Sequence, residues 1–276
     1  EAWFGFARFS PFHRLRTSMH AAESLADRLH TPEYRKEYDA FRARAGDLDP
    51  ANPELLDMHL LPDPDKVKIR VYGTQSTHKS MSALRQGSMI LVHDEEFGAV
   101  HGAFEEAYFT HTSTSPNLQI IASLDLARRQ MELEGYELVI RATDLALRIR
   151  RQVNSHPLIS KYFRVLTPAE MVPAEYRESG ISDYGWPHNT RAQLIDSWKR
   201  DEIALDPTRL TLVCGTAGYD GTAFKGLLAD RYDIQINKTS RNSILLQTNI
   251  NNTRSDVAHI VKVLSDIART IDEELR

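Results

Sequence analysis

The 276-residue chain carries 34 basic and 38 acidic side chains, a formal charge of −4, and 41% hydrophobic residues, a globular composition with room for one large core or two smaller ones. So even a balance supplies no basic field for a nucleic-acid backbone, and no apolar run reaches the roughly 20 residues that cross a bilayer. The lone Cys214 follows the apolar run Leu210–Val213 and reads as a core residue. It cannot close an intrachain disulfide, which fits a reducing, cytoplasmic setting.

The opening Glu1-Ala2-Trp3-Phe4-Gly5-Phe6 has neither a Met nor a basic stretch leading into an apolar one. It is not a signal peptide and reads as a strand end in mid-fold, as if cut from something longer. Residues 13–66 are charged and broken by prolines at 32, 50, 53, 62 and 64. Short helices are predicted there over Ala21–Arg28 and Glu33–Arg44, with surface connection between. The alternation Val67 to Tyr72 predicts a strand running into Gly73–Lys79, with a helix opening over Met81–Gln86. Met89–His93 is a second strand, and residues 103–110 form a short helix.

The hydroxyl-rich His111–Pro116 leads into a long helical region, whose second half after Gly135 puts Leu138, Ala142, Leu145 and Ile149 on one face. Residues 156–200, rich in prolines and aromatics, mark a boundary. A strand (Leu210–Cys214), a helix (Thr222–Arg231), two strands (Asp233–Ile236, Ser243–Asn249) and a last helix follow. Thr253 with Asp256 signals the start of that helix, whose apolar face is Val257, Ile260, Val261, Leu264, Ile267 and Ile271. Alternating strands and helices predict an α/β large domain over 1–155, with the charged insertion at about 13–66, and a small α+β domain over 156–276.

The chemistry concentrates at residues 73–80, where a strand end, clustered hydroxyls and His78-Lys79 coincide at an expected helix start. Hydroxyls and backbone N–H groups there suit a phosphate, and a lysine in that positive potential gives up its proton more readily. A neutral lysine beside a phosphate pocket is what Schiff-base chemistry requires. The same stretch, Gly73-x4-His78-Lys79-Ser80, differs at one position from a nucleotide phosphate loop. Histidine there resists the close backbone wrap of the usual glycine, and the nearest magnesium-ligand candidate, Asp144, falls in a helical pattern. The plain alternative is a surface lysine beside a turn.

Tyr72–Lys79, with Ala83–Ile90 after it, resembles the cofactor-lysine region of the bacterial ornithine/lysine/arginine decarboxylases. The opening Glu1–Gly5, His111–Pro116, Ile120–Asp125, Asp201–Thr208 and Ile236–Ser243 extend the resemblance in family order. It implies a pyridoxal-phosphate (PLP) transferase-like fold, a homodimer or higher homo-oligomer, and decarboxylation of a basic amino acid.

By the same resemblance, Lys79 would carry the cofactor as a Schiff base, Ser76 and His78 would bind its phosphate, and Trp3 would line its pocket. Ser113 and Thr114 would reach the phosphate across a dimer interface. For Trp3 a core aromatic, and for Ser113 and Thr114 a turn or cap before Pro116, are the plain alternatives. Arg241 is a candidate for clamping a substrate carboxylate, with a structural ion pair as its other reading. No metal is expected.

In the family an aspartate precedes the opening block and pairs with the cofactor ring. It is absent before Glu1, so a preceding segment is expected to complete the site. The 13–66 insertion would cover the active-site entrance or mediate oligomer contacts, unless it is merely solvated. Asp183, Asp196, Asp201 and Glu202 are expected at the surface. Another PLP reaction on the same fold, or a non-catalytic regulatory or scaffolding subunit, stands as an alternative function.

Overall fold

The computed structural model describes residues 25–276 apart from 47, 185–189, 202 and 237. After a helical stretch at 25–29, α1 (Pro32–Ala45) starts with the Thr31 side chain accepting from Tyr34 N and a proline in its first turn. Tyr34 and Tyr38 of α1 bury with Leu29 and Ile69 in a small satellite core, against which Val71 is partly packed. Paired charges surround it, including a two-pronged Arg35–Asp65 contact at 2.8 and 2.6 Å.

β1 (Arg70–Gln75) and β2 (Met89–Asp94) form an antiparallel hairpin, with Arg70 opposite Asp94 at one end and Gln75 opposite Met89 at the other. The strand therefore starts three residues later than the alternation suggests and continues through Gly73. The connection holds a single helical turn, α2 (Thr77–Ser80). No helix forms over 81–86: Met81 is already extended at φ −121° and ψ 173°, and Gln86 takes φ 72°.

α3 (Phe97–His111) has no buried residue, and its rings stack along the helix and onto Tyr72 of β1, with Tyr72–Phe104 at 6.1 Å and Phe97–Phe104 at 5.4 Å. α4 (Leu118–Ser155) is one 38-residue helix, started by Asn117 accepting from Gln119 N and Ile120 N. It runs unbroken through the buried Gly135 and serves two cores. Ala127 to Ala142 pack with Met81 of the hairpin connection and with Leu194 and Trp198. Leu145 to Val153 join the C-terminal core.

That C-terminal core lies against a four-stranded antiparallel sheet of order β3-β4-β6-β5. The strands are β3 (Arg164–Val165), β4 (Arg209–Val213), β5 (Lys238–Thr239) and β6 (Ser243–Gln247), and the helices between β3 and β5 are α5 (Pro168–Met171), α6 (Arg191–Arg200) and α7 (Gly221–Tyr232). The strand expected at Asp233–Ile236 does not form. Asp233 turns left-handed at φ 55° and ends α7 by sending its N–H to Leu228 O. α8 (Arg254–Glu274) begins with the reciprocal Thr253/Asp256 cap and buries Val257, Ile260, Leu264 and Ile267 as predicted, together with Val263 and Ala268. Among the described residues no helix is long and apolar enough to cross a membrane.

Candidate active site

Lys79 is exposed and rides on the one-turn helix α2. So short a helix brings no macrodipole worth counting, and the anion site expected from a helix N-terminus is not formed that way. What defines the turn is a closed ring of hydrogen bonds. Lys79 N donates to Ser76 O (3.0 Å) and Met81 N to Thr77 O (3.0 Å), while His78 N donates to Gly87 O (3.3 Å). The His78 ring repeats that last link, with Nδ1 2.8 Å from Gly87 O. Among the described residues no ion pair or hydrogen bond engages the Lys79 ammonium. Ser76, exposed at the start of the turn, does not use its hydroxyl to cap it.

Two further polar side chains flank this turn and had no role in the sequence reading. Gln75 and Thr77 are 7% and 4% exposed, and Gln75 Oε1 and Thr77 Oγ1 are buried with no hydrogen-bond partner among the described residues. A buried, unpaired oxygen costs stability unless something fills its valence. The only sequence signal was their place in Tyr72–Lys79. Gly73 lies inside β1 opposite Leu91, so no glycine-led loop precedes the lysine, and the nucleotide-loop reading loses its geometry.

The other predicted site residues fall elsewhere. Ser113 and Thr114 are exposed in the α3–α4 connection, where Ser113 Oγ closes a local turn, donating to Ser115 O and accepting from Ser115 N, both at 3.2 Å. Among the described residues neither bonds to the Lys79 turn. Arg241 is exposed at the β5–β6 turn, and its carbonyl accepts from Gly221 N at 3.1 Å. Among the described residues it makes no side-chain ion pair. Trp3 and the opening block lie outside the described residues.

Two carboxylates expected at the surface are instead drawn inward. Asp201 accepts from Ser179 N (2.7 Å) and Ser179 Oγ (2.8 Å), and Asp183 has a buried carboxylate oxygen and acts electrostatically on the buried Arg150. Asp196 is exposed, 3.5 Å from Arg200. The insertion core reaches the hairpin through Ile69 and Val71, at the end farther from Lys79, about 17 Å along a six-residue strand. Among the described residues its core therefore meets the hairpin at that end and not at the lysine.

The family model for the Orn/Lys/Arg decarboxylase major domain matches residues 48–256, and the chain belongs to that family. It is 30% identical over 220 residues to the lysine decarboxylase of Hafnia alvei, covering 75% of this chain and 28% of that protein. To the constitutive lysine decarboxylase of Escherichia coli strain K12 it is 28% identical over 222 residues, covering 75% and 29%. The solved structure of lysine decarboxylase A from Pseudomonas aeruginosa superposes with a TM-score of 0.54 at 27% identity, covering 74% of this chain and 29% of that one. The chain thus spans less than a third of the length of these relatives.

Proposed function

We propose that this chain supplies the cofactor lysine of a PLP-dependent decarboxylase acting on lysine, arginine or ornithine. The observation that carries the proposal is Lys79 itself, exposed on a turn that is fixed on both flanks and, among the described residues, without an ion pair. Lysine and arginine decarboxylases among the relatives support the substrate class. The PLP transferase-like fold is the finer reading of the mixed helix-and-sheet architecture and goes with the same family.

The residues present fit the cofactor. Lys79 Nζ would attach it, and the uncommitted Ser76 hydroxyl would donate to its phosphate. His78 has only Nε2 left to offer, because Nδ1 is held by Gly87 O. Bound there, PLP supplies the electron sink for the pair left on Cα when the carboxylate departs. The work of this chain is to hold the lysine and the phosphate in fixed register, so that the scissile bond stands perpendicular to the ring.

Ser113 and Thr114 act in this reading from a second subunit, and Arg241 is a cation in the C-terminal unit able to meet a carboxylate. Further polypeptide from the major domain completes the site. Its support is that α3, apolar on most sides, buries none of its residues here, which is how a helix meant for an interior looks when its cover is missing. A two-stranded hairpin is likewise short of independent stability. The lone, buried Cys214 accords with a cytoplasmic setting.

The test is carbon dioxide release from lysine, arginine and ornithine by the native protein that carries this chain. Lys79→Ala is expected to abolish release with assembly intact. Release that survives Lys79→Ala contradicts the assignment.

A further inference from the structure

The turn bearing Lys79 is gripped from outside by two adjacent residues of α4. Leu84 N donates to Ser123 Oγ at 3.0 Å, and Ser123 Oγ donates its own proton to Ile120 O at 2.7 Å. That second bond settles which way the hydroxyl points: its proton goes back along the helix and a lone pair is left for Leu84. Next along α4, Leu124 packs so close to Gly87 that a Cβ on the glycine would sit 2.8 Å from Leu124 Cδ2. Gly87 O in turn takes both His78 bonds. Two points on one rigid helix therefore fix positions 84 and 87 of the connection, and position 87 passes the constraint to the residue beside Lys79. Ser82 Oγ, donating to Asn251 Oδ1 at 3.2 Å, ties the same connection to the C-terminal unit.

We propose that Ser123 is a positioning residue for Lys79, holding the lysine turn on α4 through the Leu84 N–H. The proposal rests on the reading of Lys79 as the cofactor attachment point. Its logic is that a reacting lysine displaced by about 1 Å can lose roughly two orders of magnitude in rate. The fold itself loses little with Ser123, since Leu84 is half-exposed and its N–H can turn to water.

The experiment uses the native protein carrying the chain, with Ser123→Ala, Ser123→Thr, Gly87→Ala and the pair Gly87→Ala/Leu124→Ala. Two quantities are read: hydrogen exchange of amides 77–88 without cofactor, and the rate at which added PLP attaches to Lys79. Ser123→Ala is expected to speed exchange in that stretch about five-fold and to slow attachment about tenfold or more. Ser123→Thr, which keeps a hydroxyl able to bond back along the helix, restores both. Gly87→Ala reproduces the defect, and trimming Leu124 relieves the larger part of it, a 3.2 Å contact with Leu84 O remaining.

Exchange and attachment unchanged in Ser123→Ala, or a defect that Ser123→Thr leaves in place, overturns the proposal. Failure of the parent protein to attach PLP at Lys79 sinks the functional reading instead. The exchange data then still decide whether Ser123 holds the turn.

Discussion

His78 Nδ1 lies 2.8 Å from Gly87 O, and a carbonyl oxygen only accepts, so the proton of that bond sits on Nδ1. The ring thereby keeps a proton on Nδ1 and bridges the two ends of the connection between β1 and β2. Replacing His78 by Asn keeps a donor near the Nδ1 position, whereas Gln moves it outward. Asn is expected to retain most of the protection of amides 77–88 from exchange, and Gln or Ala to lose about 1 kcal/mol of it. Equal loss in all three would mean that the ring bond does not hold the turn.

Gly221 and Gly226, both in α7, should respond in opposite directions to alanine. A Cβ at Gly221 would sit 2.1 Å from Ser240 O and 2.5 Å from Ser243 O, both backbone atoms, whereas nothing lies within 4 Å of one at Gly226. Gly221→Ala is expected to cost about 3 kcal/mol or more, and Gly226→Ala to add roughly 0.5–1 kcal/mol by helix propensity. Urea unfolding of the two variants measures both. A tolerated Gly221→Ala would contradict the close packing of α7 on the β5–β6 turn.

Arg150 of α4 is 2% exposed, donates to Leu166 O and lies 5.9 Å over the Tyr184 ring. Burial weakens its hold on its proton, and Asp183 opposes that. Arg150→Ala removes the buried cation and its bond to Leu166 O, and is expected to cost about 1–3 kcal/mol. Limited proteolysis should then cut first within 166–184, the segment that Arg150 pins to the helix.

Acid should weaken the start of α8. The Thr253 N–H (2.8 Å) and then the Asn252 amide (3.3 Å) donate to Asp256 and hold its carboxyl below the usual aspartate range, burial opposing them. A group depressed in the folded state stabilises above its unfolded pKa of about 4 and loses that contribution as pH falls through the lower folded value. Asp256→Asn is expected to flatten stability against pH between about 5 and 2. An unchanged slope would remove Asp256 as a source of acid sensitivity.

The parts of this chain set by local pattern were legible before any coordinates. The Thr253/Asp256 cap and the apolar stripe of α8 depend only on residues one or two turns apart, and both are present. The lysine turn could be located because hydroxyls, His78 and Lys79 crowd into a few positions after an alternating strand. What escaped depended on backbone angles or distant partners. Asp233 and Gln86 take φ 55° and 72°, which composition does not announce, and each lies at one end of an expected element that did not form. Ser123 gained a role only when α4 lay against Leu84, and Gln75 and Thr77 only when burial left their oxygens unpaired. α4 read as one long helical region with an apolar face in its second half, but its service to two cores shows only in the packing.

The central claim is that Lys79 carries the cofactor. The most direct measurement is borohydride reduction of the protein incubated with PLP, on this chain alone and on the native protein that carries it, followed by peptide mapping. The account predicts a reduced adduct on Lys79 in the native protein, absent from Lys79→Ala. No adduct, or one confined to another lysine, would contradict it.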